Sequence, residues 1–205
     1  MSKKLRESNW SGSMATLNYD RFLIKALAMS GYIPYSDRSP GYIFGRIPIE
    51  ICLPHGSSML FGRGFDVRGL EMYKYLKFDH DSVELITDIE KFRAKIEVSS
   101  IPPIMSVFNR GKDNISGGRI ITNYRKRFEE LTNNADRIFI IGMKFREHDK
   151  HIWIPIKNTL AKKIYYCSGN DTKEFEKYVK KDDREIIILR GYWKEFFNEI
   201  NSLIL

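Results

Sequence analysis

The chain has 205 residues, 42% hydrophobic and 29% charged, a composition that fits a folded domain and a length that suits one large domain better than two small ones. No apolar run reaches the roughly 18 residues that cross a bilayer. The charged N-terminus also lacks a signal-peptide core, so a cytoplasmic protein with no membrane partner is expected.

The formal net charge of +8 suits an anionic partner, either a nucleotide or a nucleic acid, although the excess is spread along the chain. Cys52 and Cys167 make neither a C-x-x-C pair nor a disulfide framework. Cys52 lies in an apolar run and reads as a small core hydrophobe.

Residues 1–13 are polar and serine-rich and read as a mobile leader. Met14-Ala15-Thr16-Leu17 reads as a short buried strand. From Asp20 the pattern turns helical. Phe22, Leu23, Ala26, Leu27 and Met29 share a face, Asp20 can cap the start, and Gly31 can end the helix.

Residues 34–41 are a loop by composition. Tyr42-Ile43-Phe44 follows, and then Ile47, Ile49, Ile51 and Leu53 alternate at period two, the mark of a strand that delivers His55 and Gly56. The glycine leaves room for a ligand or another backbone beside the histidine.

Residues 61–118 read as a less regular helical insertion. Helices are predicted over 67–77 and over 82–96, where Leu85, Ile86, Ile89, Phe92 and Ile96 fit a 3.6-residue period. Ile101-Pro102-Pro103-Ile104 breaks regular structure, and 109–118 is a polar, glycine-rich loop.

A helix is predicted over 119–132. From there strands at 136–141, 163–167 and 185–189 alternate with helices at about 150–161, 172–180 and 192–203. That alternation predicts a parallel sheet with crossover helices, and residues 14–205 read as a single α/β domain.

Two segments end apolar runs in chemically capable groups: Thr16-Leu17-Asn18-Tyr19-Asp20 and Leu53-Pro54-His55-Gly56-Ser57-Ser58. If those runs are neighbouring parallel strands, Asn18 and His55 sit side by side at the strand ends, where open α/β sheets bind ligands. Turn and cap chemistry is the competing account of Asn18 and Asp20.

Glu147-His148-x-x-His151 has metal-like spacing, but no third or fourth ligand is evident and no metal is expected. Tyr73, Tyr75 and Phe78 with their lysines fit a half-buried helix surface better than a nucleic-acid stacking platform.

With Ala135-Asp136-Arg137-Ile138-Phe139-Ile140-Ile141-Gly142 and the later Asp149, these blocks occur in an order that resembles the sirtuin-like NAD-hydrolase domains of bacterial anti-phage defence proteins. The resemblance spans roughly 14–200 and is vague between 60 and 100. It implies a Rossmann-like, mostly parallel sheet with flanking helices that binds NAD as substrate and cleaves its nicotinamide–ribose bond.

By the same resemblance, Asn18 and His55 are catalytic, the asparagine positioning water or ribose. Thr16, Asp20, Gly56, Ser57, Gly142 and Lys144 line the cofactor, with Asp20 near the nicotinamide. The residue types suit that chemistry. Positive charge builds on the ribose while nicotinamide leaves neutral, so a positioned nucleophile and a base are what is required. A histidine with pKa near about 6.5 can be the base, and an amide can both donate to and accept from a water.

Two departures stand out. The family's glycine-rich phosphate loop precedes the asparagine strand, and here only residues 1–13 lie there, so the chain reads as N-terminally truncated relative to the family. Neither Gly62-Arg63-Gly64 nor Gly117-Gly118 substitutes for it. Lys144 replaces a small hydroxyl residue; it can pair with phosphate or block the site.

A fragment, one half of a split enzyme completed by a partner chain or a second copy, and a degenerate relative all remain open. Two cysteines cannot build the family deacylases' four-cysteine zinc module, which argues against deacylation. A non-catalytic module binding NAD or ADP-ribose is the alternative function, and a basic nucleic-acid-binding domain is the weaker one.

Overall fold

A computed structural model describes residues 12–36, 47–63, 66–67, 78–80, 82–99, 101–106, 117–168, 172–190 and 202. The fold class is α/β, with parallel strands joined through helices in the Rossmann-like manner. The chain divides into two compact units, one ending at Lys126 and the other beginning at Arg127.

The N-terminal unit opens with β1 (Met14–Ala15), α1 (Phe22–Met29), β2 (Tyr32–Tyr35) and β3 (Ile47–Cys52). The strands form a parallel sheet in the order β1-β3-β2. β2 pairs with the first part of β3, from Tyr32 opposite Ile47 to Tyr35 opposite Glu50. β1 pairs with its last part, Met14 opposite Ile51 and Ala15 opposite Cys52. Ile49, Ile51 and Cys52 are buried, as the central position of β3 requires.

β2 corrects the loop expected from residue 34. Pro34 lies within the strand, and β2 is at the edge of this sheet, where a residue without an N–H is tolerated. The Tyr42-Ile43-Phe44 run lies outside the described residues.

α1 starts where Asp20 accepts a hydrogen bond from the Phe22 N–H at 2.8 Å, and stops at Gly31, whose φ is +87°. Ile24 and Leu27 form its buried stripe. Phe22 and Met29, expected inside, are 74% and 79% exposed, because the contact with the sheet is narrower than the helix's apolar arc.

The middle segment holds more strand than expected. β4 (Leu60–Arg63) pairs antiparallel with β7 (Ser82–Leu85), and β5 (Asp66–Val67) with β6 (Phe78–Asp79). The helix expected over 82–96 is therefore divided. Ser82-Val83-Glu84-Leu85 alternates in polarity and finds a partner strand, and α2 (Ile89–Val98) begins only after Asp88, whose carboxylate accepts from the Lys91 N–H at 2.9 Å. Of the helix expected over 67–77, Val67 is in β5 and the rest lies outside the described residues.

The division between the units falls within α3 (Gly118–Asn133). In the C-terminal unit, β8 (Arg137–Ile141), α4 (Lys150–Asn158), β9 (Lys163–Cys167), α5 (Lys173–Val179) and β10 (Glu185–Leu189) alternate. The strands are parallel in the order β10-β9-β8. β9 is central and buries Ile164, Tyr165, Tyr166 and Cys167 consecutively, the pattern of a strand covered on both faces. The helix expected over 192–203 lies outside the described residues apart from helical Ser202.

α4 ends three residues before the expected 161 because its last carbonyls are taken by side chains. The buried Arg184 guanidinium donates to the carbonyls of Lys157 at 3.0 Å, Ala161 at 3.3 Å, Val179 at 2.8 Å and Thr159. Lys181 Nζ adds bonds to Asn158 O at 3.1 Å and Thr159 O at 3.3 Å. One arginine thus caps the C-terminal ends of α4 and α5 together. Burial pulls its guanidinium below the usual arginine value, with Asp183 acting in the other direction.

Arg184→Leu leaves several buried carbonyls without donors and is expected to destabilise the fold by about 3 kcal/mol or more in urea unfolding followed by circular dichroism. Arg184→Lys, which keeps one donor group, should lose roughly half as much.

Candidate functional site

The β1–β3 register sets the geometry of the corner where the two chemically capable segments meet. Ala15 lies opposite Cys52, and the Thr16 N–H still donates to Cys52 O at 3.1 Å, so pairing runs one residue past β1. Beyond that point both chains turn off the carboxyl ends of neighbouring parallel strands. Asn18 and His55 each lie three residues past the paired Ala15 and Cys52.

Serines tie the two turns together. The Tyr19 carbonyl accepts from Ser58 N at 2.9 Å, Ser58 Oγ at 2.8 Å and Ser57 Oγ at 3.3 Å. From the other side, Ser57 N donates to Ile104 O at 3.0 Å and Ser106 N to His55 O at 2.8 Å, so the 104–106 segment backs the histidine turn. The Ile-Pro-Pro-Ile break is thus an extended support to the corner.

Each expected residue has a definite place. Asn18 is exposed, and its N–H donates to Thr16 Oγ1 at 3.2 Å. Asp20 is exposed and holds the start of α1. His55 is only 5% exposed, and the Tyr19 ring lies against its imidazole, with centroids 6.2 Å apart and planes at 29°. Ser57 is buried, donating to the Tyr19 carbonyl and accepting from Met59 N at 3.2 Å.

Gly56 has φ +76°, and a Cβ there would sit 2.1 Å from the Ile104 carbonyl oxygen. What approaches this glycine is therefore another stretch of backbone. Gly117, directly before α3, has φ +69° and abuts the Ile104 side chain.

Tyr19, Ser106 and Arg125 were not singled out from the sequence. The Tyr19 hydroxyl donates to the Ser106 carbonyl. Arg125 reaches from α3, its Nη2 3.3 Å from Ser106 Oγ and its Nε 3.4 Å from the Pro54 carbonyl. Burial pulls this guanidinium below its usual value, while Tyr19 raises it. Ser106 is buried and connects Tyr19, His55 and Arg125. A signal for Arg125 existed: it follows Ile121 by four residues, on the edge of the stripe that buries Ile121 and Tyr124.

Gly142 and Lys144 belong to the C-terminal unit. Gly142 follows β8 with φ +70° and open space where a Cβ would stand; its N–H donates to Cys167 O at 3.0 Å. Lys144 is exposed. The turn between them is pinned by Tyr166, whose hydroxyl donates to Met143 O at 2.8 Å and accepts from Phe145 N at 3.0 Å.

Cys52 donates from its thiol to Tyr124 O at 3.2 Å, and both cysteines are buried thiols outside any disulfide. His148 is exposed, and among the described residues no three His, Cys, Asp or Glu side chains converge to hold a metal ion. No helix among the described residues is long and apolar enough to cross a membrane.

No family model, curated protein or solved structure matches this chain. The site presents an exposed amide, a buried imidazole beside a tyrosine ring, and a half-buried guanidinium at the carboxyl ends of two parallel strands.

The two glycines give a paired expectation. Gly56→Ala meets both a left-handed φ and a backbone oxygen and should cost about 3 kcal/mol or more, whereas Gly142→Ala meets only the φ penalty of about 1 kcal/mol. Thermal unfolding of both variants measures the difference.

Proposed function

We propose that the N-terminal unit binds NAD at the β1/β3 corner and cleaves its nicotinamide–ribose bond, the activity implied by the resemblance to the sirtuin-like hydrolases of phage defence. The observation that carries this reading is the parallel pairing of β1 with β3, with Asn18 and His55 at equal offsets past the paired residues. Carboxyl strand ends are where open α/β sheets bind nucleotides.

In this reading the exposed Asn18 amide orients the attacking water. His55 takes a proton from that water, or from a ribose hydroxyl, as the bond from C1′ to the pyridinium nitrogen breaks and nicotinamide departs neutral.

One observation favours a second reading, binding without turnover: His55 is only 5% exposed, so a substrate reaches the imidazole only if the packing around it opens. The two readings separate in one experiment. NAD incubated with the purified chain is analysed by chromatography for nicotinamide and ADP-ribose, and calorimetry measures NAD and ADP-ribose binding. Hydrolysis is expected, falling about a hundredfold or more in Asn18→Ala and His55→Ala. Wild-type turnover in either variant removes the mechanism, and binding without products leaves the module.

A further inference from the structure

We propose that Arg125 is an anion-binding residue of the β1/β3 corner, taking phosphate oxygens of a nucleotide ligand. The nucleotide identity rests on the reading above; the anion site rests on the arginine's surroundings.

A guanidinium has five N–H donors in a planar fork suited to phosphate. Arg125 uses two of them, on the neutral Pro54 carbonyl at 3.4 Å and Ser106 hydroxyl at 3.3 Å, both long bonds. Four other arginines have stronger partners. Arg63 pairs with Glu84 at 3.1 Å, Arg93 with Glu90 at 3.0 Å and Arg127 with Glu130 at 2.9 Å, and Arg184 is surrounded by four carbonyls. Among the described residues no carboxylate pairs with Arg125.

The charge is also half-buried, so water compensates it incompletely. A ligand oxyanion would supply the missing partner. The position suits a nucleotide, because the guanidinium shares Ser106 with Tyr19 and His55.

Inorganic pyrophosphate is the probe. Calorimetry on the full chain should show binding that weakens with added salt, at least about tenfold weaker in Arg125→Gln and intermediate in Arg125→Lys. Footprinting of the wild-type chain with phenylglyoxal, read by mass spectrometry, should show Arg125 modified in the free protein and protected by pyrophosphate. This arm needs no variant to fold.

Equal binding by a folded Arg125→Gln, or modification of Arg125 unchanged by saturating pyrophosphate, overturns the proposal. The two readings fail separately. Arg125-dependent pyrophosphate binding without NAD cleavage keeps the anion site and removes the hydrolase. Normal NAD cleavage and pyrophosphate binding in Arg125→Gln does the reverse.

Discussion

The candidate site depends on a very short piece of β-ladder. β1 contributes two residues, yet its register against β3 fixes where both following turns leave the sheet. A ladder so short is weak alone. It is reinforced by the Tyr19 carbonyl, which gathers three donors from Ser57 and Ser58, and by the continued bond from Thr16 to Cys52. Most of these bonds lie away from bulk water, where a hydrogen bond is worth more and its absence costs more. The corner is consequently held by backbone and hydroxyl groups, leaving the larger polar side chains for other work.

Two arginines show how environment separates structure from chemistry. Arg184 and Arg125 are both pulled below their usual value by burial. Arg184 answers that burial with four main-chain carbonyls, and its role is complete once two helix ends are capped. Arg125 has two distant neutral acceptors, one of them the Ser106 hydroxyl of the residue whose carbonyl takes the Tyr19 phenol. Residue type is the same, and Arg184 is the more deeply buried; the difference is whether the protein itself satisfies the donors.

Serines 57 and 106 make a related point about motifs. The run Ser57-Ser58 after His55-Gly56 suggested ligand contacts, but Ser57 spends its hydroxyl on Tyr19 and Met59. Ser106, which follows two prolines, bonds the Tyr19 hydroxyl, the Arg125 guanidinium and the main-chain carbonyl of His55. Likewise Gly56 is required by the nearby Ile104 carbonyl, whereas Gly142 stands beside open space.

The sequence by itself determined the α/β class, the strand–helix alternation of the last third, and the strand that delivers His55, because periodicities of two and 3.6 are local properties of the chain. It misjudged the middle, where Ser82–Leu85 becomes a strand only because β4 lies across from it, and residue 34, where proline is admitted only because β2 is an edge. Tertiary structure alone decided that the Tyr19 ring stacks beside His55, that residues 104–106 back the turn, and that Arg125 reaches the corner from a distant helix. Such contacts join residues far apart in the chain, and a local pattern carries no record of which distant surfaces will meet.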